Sequence, residues 1–183
     1  MTEQTKNQRF KDMLLPHLPA AYNLARWLSR NDQDAEDIVQ EAYLRAFKFF
    51  DSFRGEHGRA WLLGIVRNTY YTRLQKNRGQ KSDTSFDEEF HSLESQDVGM
   101  PPSNPESILS RHQDFKQLNR AMERLPVEFR EAVVLKDLEQ MSYKEISEVT
   151  AVPLGTVMSR LARGRKLLRV YLAQMQQGDG DGM

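Results

Sequence analysis

The sequence predicts an all-α protein built as two small helical domains joined by an acidic linker. Three observations carry that expectation. Apolar residues recur at three- and four-residue intervals almost throughout, and no segment keeps a two-residue alternation. Charge is sorted into blocks: 59–81 holds Arg59, Arg67, Arg73, Lys76, Arg78 and Lys81 with no acid, and 154–172 holds Arg160, Arg163, Arg165, Lys166 and Arg169 with none. Between them, 82–106 carries Asp83, Asp87, Glu88, Glu89, Glu94, Asp97 and Glu106 without one Lys or Arg. The formal net charge of zero thus hides a polarised molecule, and basic helix faces of this kind are the electrostatic footprint of phosphate-backbone binding.

At 183 residues the chain has room for two small domains. We expect residues 1–80 to form the first, 81–106 the linker, 107–177 the second, and 178–183 a disordered tail. Pro101, Pro102, Pro105, several serines and few large apolar groups keep the linker from burying enough surface to offset its ordering entropy. The absence of cysteine removes disulfides, zinc-thiolate sites and thiol nucleophiles. Four scattered histidines lack ligand spacing, so neither a metal nor a cofactor is expected. No apolar run approaches the length of a membrane span and 1–11 is polar, so a cytoplasmic protein is expected. No nucleophile, paired-carboxylate or phosphate-cradling motif points to an enzyme.

The first helix is expected from about Arg9 to Trp27, with Leu14, Leu18, Tyr22, Ala25 and Leu28 at helical intervals and Pro16 and Pro19 disturbing its start. Asn31 and Asp32 supply capping chemistry for a second helix over 34–50, which buries Ile38, Ala42, Ala46 and Phe49. Asp34, Asp37 and Glu41 lie along another face. The helix dipole accounts for the first two but not for Glu41, which leaves a binding role open. A glycine-punctuated loop, 51–59, leads to a third helix over 60–77. Its Gly64, Arg67, Asn68, Tyr71, Gln75 and Arg78 share one side. Cations for phosphates, a ring for stacking and amides for base edges suit a single strand of nucleic acid.

After the linker, 107–124 reads as a helix ended by Leu125-Pro126, and 128–138 as the next, with Phe129, Val133 and Leu135 inward. Ser142-Tyr143-Lys144-Glu145 fits a capping box for a short helix burying Ile146 and Val149. Pro153 then opens a longer helix over 154–172 at its first position. Short helix, tight turn and longer helix make a helix-turn-helix. On the last helix Val157, Leu161 and Leu168 form the buried stripe, while Ser159, Arg163 and Lys166 face outward, flanked by Arg160 and Arg169. A major groove admits such a helix.

These residues resemble a known family. Residues 34–46 (DAEDIVQEAYLRA) resemble the polymerase-binding helix of sigma region 2, and 61–68 (WLLGIVRN), with Phe53-Arg54-Gly55 before it, resemble the promoter-melting helix. Leu125-Pro126, Phe129-Arg130-Glu131, 142–146 and 155–165 resemble sigma region 4. In this order and spacing the blocks are similar to the extracytoplasmic-function (ECF) sigma factors of bacterial RNA polymerase. The resemblance implies core polymerase binding by Asp34, Asp37, Gln40 and Glu41. It implies minus-10 capture and strand holding by Phe53, Arg54, Arg59, Arg67, Asn68, Tyr71 and Gln75. It assigns the minus-35 duplex to Ser159, Arg160, Arg163, Lys166 and Arg169. Core RNA polymerase, promoter DNA and an anti-sigma factor are the implied partners, with no membrane insertion. Met158 departs from the family, where this position is often basic, so a minus-35 preference does not carry over. The alternative reading is a sigma mimic that titrates an anti-sigma factor without binding DNA. A plain helix-turn-helix repressor would leave the acidic helix and linker unexplained.

Overall fold

The computed structural model describes residues 2–80 and 105–180; most of the acidic linker lies outside the described residues. Eight α-helices make up the described chain, and no strand occurs among those residues. They are α1 (Glu3–Leu14), α2 (Leu18–Ser29), α3 (Asp32–Phe49), α4 (Gly58–Gln80), α5 (Pro105–Arg124), α6 (Val127–Val133), α7 (Tyr143–Thr150) and α8 (Leu154–Gly180).

The expected first helix is divided. A 3-10 turn, Leu15–His17, separates α1 from α2, because Pro16 and Pro19 remove backbone donors that an unbroken helix needs. Arg30, in the left-handed region at φ 57°, ends α2. Asn31 caps α3, its side chain accepting from the Asp34 amide at 2.9 Å. Leu24, Leu28, Ile38, Ala42, Leu62, Leu63 and Val66 are buried where α2, α3 and α4 meet. Phe49, expected inward, is exposed at 54%, and its neighbour Phe50 is buried instead, with Phe10 edge-on at 5.4 Å. The helix ends at Phe49, so Phe50 enters a 3-10 turn that rotates it inward.

In the second half α6 is short. It passes into a five-residue π-helical turn, Val134–Leu138, before the chain reverses at Gln140 (φ 53°). Ser142 caps α7 as expected, accepting from the Glu145 amide at 3.1 Å. The Glu145 carboxylate does not return the bond to a backbone amide, as a full capping box would; it accepts from the Ser142 hydroxyl at 3.2 Å and pairs with Arg59. Pro153 precedes α8 rather than occupying its first position, and its carbonyl accepts from Thr156 and Val157. Helix α8 continues to Gly180, farther than the apolar periodicity marks.

Gly164 sits where α8 crosses α6. A Cβ at that position would lie 2.9 Å from Val133 Cγ2 and 3.2 Å from the Phe129 carbonyl, so only hydrogen permits this approach. Val157, Leu161 and Leu168 are buried on the same side of α8.

The two halves also pack on each other. Helix α4 lies against α7, and α2 against α6 and the π-helical turn. Arg130 is 3% exposed and joins them: its guanidinium donates to the carbonyls of Leu125 at 2.9 Å, Glu123 at 3.2 Å and, across the interface, Leu28 at 3.4 Å. Burial lowers its pKa to about 10, with Arg30 adding repulsion.

Candidate nucleic-acid interface

The outer face of α8 is arranged as the sequence suggests. Ser159, Arg163, Lys166 and Arg169 are exposed, and Arg160 is half-buried. Arg165 faces sideways to Asp137 in the π-helical turn, with bonds of 2.5 and 3.1 Å, so it belongs to the scaffold. Arg163, Lys166 and Arg169 therefore form a stripe opposite the buried one, while the charge of Arg160, at its edge, also acts on the buried Glu131. Met158, at 49% exposure, adds an apolar contact beside them.

The acidic face of α3 is not one surface. Asp37 and Glu41 meet Arg73 of α4 at 3.7 and 3.5 Å, and Glu41 also pairs with Arg45 at 2.8 Å. Glu41, which the helix dipole leaves unexplained, thus has partners within the molecule. Asp34 and Gln40 are exposed. Gln40 lines an apolar groove of about 770 Å³ between α2 and α3, with Leu18, Tyr22, Tyr43, Leu44 and Phe47 among its walls. Leu15, Leu18 and Leu44 stand exposed at its edge. Burial raises the Tyr43 hydroxyl to about 12 and keeps it neutral, donating to the Leu14 carbonyl at 2.8 Å.

The loop 51–59 and α4 gather the remaining candidates. Phe53 stacks on Trp61, ring centroids 4.6 Å apart, over one wall of a cleft of about 400 Å³ that also includes His57, Gly64 and Asn68. Arg54, Asn68 and Gln75 are exposed. Arg59 and Arg67 are engaged from the second half. Arg59 donates to the Glu139 carbonyl at 3.2 Å and pairs with Glu145 at 3.4 Å. Arg67 lies over the Tyr71 ring at 4.5 Å and donates to the carboxylate of Glu131, which also accepts from the Tyr71 hydroxyl at 3.3 Å.

Glu131 is 1% exposed. Burial raises its pKa; the Arg67 charge and the two hydrogen bonds oppose that rise without cancelling it. Burial beside this carboxylate likewise raises the Tyr71 hydroxyl, which stays a donor. Sequence reading missed both Glu131 and Arg130 as contacts between halves. An Arg-Glu pair inside a short helix is the only local signal, and it does not say what the side chains meet.

No group of three or more His, Cys, Asp or Glu side chains could hold a metal ion among the described residues. The described residues thus present three surfaces: an exposed cationic face on α8, an aromatic and amide stripe on α4, and an apolar groove edged by exposed leucines. Such a combination is that of a two-domain helical protein whose surfaces suit binding and not a buried reaction centre.

Comparison with known proteins identifies which one. The sigma-70 region 2 family model matches residues 13–80, and the sigma-70 region 4 model matches 115–168. The chain is 36% identical over 138 residues to the ECF RNA polymerase sigma-E factor of Escherichia coli K12, covering 74% of this chain and 72% of that one. It is 35% identical over 172 residues to the ECF RNA polymerase sigma factor SigE of Mycolicibacterium smegmatis; the match takes in 94% of this chain and 65% of the relative's length. Among solved structures it resembles the sigma factor RpoE in complex with the anti-sigma factor NepR from Bartonella quintana, with TM-score 0.69, 30% identity, and coverage of 91% of this chain and 98% of that one. The fold also matches CnrH in complex with the cytosolic domain of CnrY, with TM-score 0.62, 20% identity, and coverage of 92% and 90%. The chain belongs to the ECF sigma factor family.

Proposed function

We propose that this sigma factor binds core RNA polymerase and directs initiation at its own promoters, with α4 and the loop before it holding the melted minus-10 strand and α8 reading the minus-35 duplex. The observation that carries the reading is the pairing of two different nucleic-acid surfaces in one chain. The α8 face offers exposed cations on a helix that fits a major groove. The α4 face offers stacking rings, amides and cations suited to an unpaired strand.

Docking on the polymerase falls to the exposed part of α3. Gln40 lines the apolar groove and Asp34 is exposed in the first turn of the same helix, whereas Asp37 and Glu41 also pair with Arg73 of α4. Phe53, Arg54 and Arg59 serve base capture; Arg67, Asn68, Tyr71 and Gln75 serve the strand. Arg163 and Ser159 address base edges, with Arg160, Lys166 and Arg169 nearer the phosphates. The chain works as an initiation factor and not as an enzyme, alongside the polymerase in the cytoplasm. No helix among the described residues is long and apolar enough to cross a membrane. An anti-sigma protein is its expected partner; the solved RpoE neighbour is in complex with the anti-sigma factor NepR.

The test is run-off transcription with purified core polymerase on a promoter library. Transcripts that depend on this chain and on a shared pair of upstream elements support the reading. Core binding without any promoter-directed transcript would instead indicate a mimic of a sigma factor.

A further inference from the structure

Helix α8 sorts its exposed side chains along its length. Together α7, a turn through Ala151 (φ 55°) and α8 make the short helix, tight turn and longer helix of a helix-turn-helix. From Leu154 to Ala162 the exposed residues are Leu154, Gly155, Met158, Ser159 and Ala162, and none of them is charged. Arg160 is half-buried, and the exposed cations Arg163, Lys166 and Arg169 all come later. Leu154, Met158 and Ala162 follow one another at four-residue intervals, so they form a short apolar ridge beside Ser159. Leu154 is 46% exposed and Met158 49%, and nothing lies within 4 Å of where a Gly155 Cβ would be. The ridge is therefore open to an approaching surface.

In a helix-turn-helix the N-terminal residues of the second helix are the ones that reach base edges. That end of α8 is apolar here, and its charge lies behind. Among the groups that base pairs display in a major groove, the thymine C5-methyl is the apolar one. Methionine is unbranched and polarizable, so it adapts its shape to such a contact.

We propose that Met158 sets a base preference of this protein by packing on the C5-methyl of a thymine in the minus-35 duplex, with Leu154 and Ala162 extending the apolar ridge around it. This rests on the reading of α8 as the duplex reader. The contact takes one methyl group out of water, which favours thymine over the same base without its methyl by about fourfold. Phosphate contacts from Lys166 and Arg169 attract every sequence alike, so discrimination at this position falls to the apolar contact.

Uracil pairs as thymine does and lacks only the methyl, so it isolates the contact. Holoenzyme assembled from the full chain and core polymerase would select from randomised duplexes, made once with thymine and once with uracil in its place. In the thymine library one position of the upstream element should favour thymine, and that preference should weaken in the uracil library. On the selected duplex, uracil at that position alone should lower holoenzyme binding about fourfold. Met158→Ala removes a half-exposed side chain outside the core and should bind the two duplexes equally.

Equal binding of the two duplexes by the wild type overturns the methyl contact, as does an upstream element with no preference for thymine. A penalty for uracil that persists in Met158→Ala comes from duplex shape or from another side chain, and overturns the assignment to Met158. If the wild type selects no upstream bases in either library, the reading of α8 as the duplex reader fails instead, so the two failures are distinct.

Discussion

The guanidinium of Arg67 on α4 donates to the carboxylate of Glu131 on α6, joining side chains 64 positions apart and from opposite sides of the linker. Arg67 is largely buried and Glu131 fully so. Removing one member of such a pair strands the other charge, which costs ~3–5 kcal/mol, whereas replacing both can be close to neutral. Arg67→Met should therefore destabilise the chain on that scale in urea unfolding. Adding Glu131→Gln to it should recover most of the loss. Additive losses would mean that the two side chains do not act as a pair.

The same carboxylate makes stability depend on pH with a defined sign. Burial raises the Glu131 pKa in the folded chain, and unfolding returns it to the ordinary carboxyl value. Between those two values the folded state binds more protons than the unfolded one, so this group's contribution to stability falls as pH rises through that window. Wild type and Glu131→Gln should thus differ in slope just above the ordinary carboxyl range, the wild type losing stability with rising pH relative to the variant. A difference of opposite sign would mean that the ion pair with Arg67 outweighs burial.

Docking on the polymerase and support of the docking helix should separate by mutation. Leu44 is 69% exposed at the groove edge, so Leu44→Asp should weaken pull-down of core polymerase with little change in stability. Asp37→Lys opposes Arg73 and should instead lower thermal stability. If Leu44→Asp leaves the pull-down intact, the groove is not the docking surface.

Strand holding matters only after the duplex has parted. Tyr71→Ala with Asn68→Ala should depress transcription from duplex promoters more than from templates carrying a pre-melted bubble. Each lost base stack is worth ~1–3 kcal/mol. Equal defects on both templates would remove these residues from the opening step.

On α8, salt separates phosphate contacts from base contacts. Loss of one phosphate-bound cation should reduce the slope of log affinity against log salt by about 0.9, alike on all sequences. Lys166→Ala should behave this way in duplex binding by the polymerase holoenzyme. Arg163→Ala should cost ~1–3 kcal/mol mainly on the preferred site and relax one position of it. Equal losses for both variants on specific and random duplex would make Arg163 a phosphate clamp.

What could be read in advance was whatever repeats along one helix. The buried stripe of Val157, Leu161 and Leu168, the exposed face of Ser159, Arg163 and Lys166, and the Ser142 cap all follow from periods of three and four residues and one local hydrogen bond. The end of α3 was misjudged by one position: a 3-10 turn after Phe49 rotates Phe50 into the core, and a regular 100° step does not anticipate it. Contacts between helices left no periodic trace. Glu41 and Arg73, 32 positions apart, meet because α3 and α4 pack together. Glu131 was hidden for the same reason, since its partners lie across the linker. A charge run was legible as a basic face, but which of its members were already neutralised was not.

Gly164 has a consequence for how this protein can diversify. Helix α8 crosses α6 at a point where only a hydrogen atom fits, so its depth and tilt are set by backbone contact and not by the outward side chains proposed to meet DNA. Ser159, Arg163, Lys166 and Arg169 all project away from that fulcrum. Under the proposed reading, their replacement would retune sequence preference while the helix is presented at the same angle, and a new promoter vocabulary would need no new architecture.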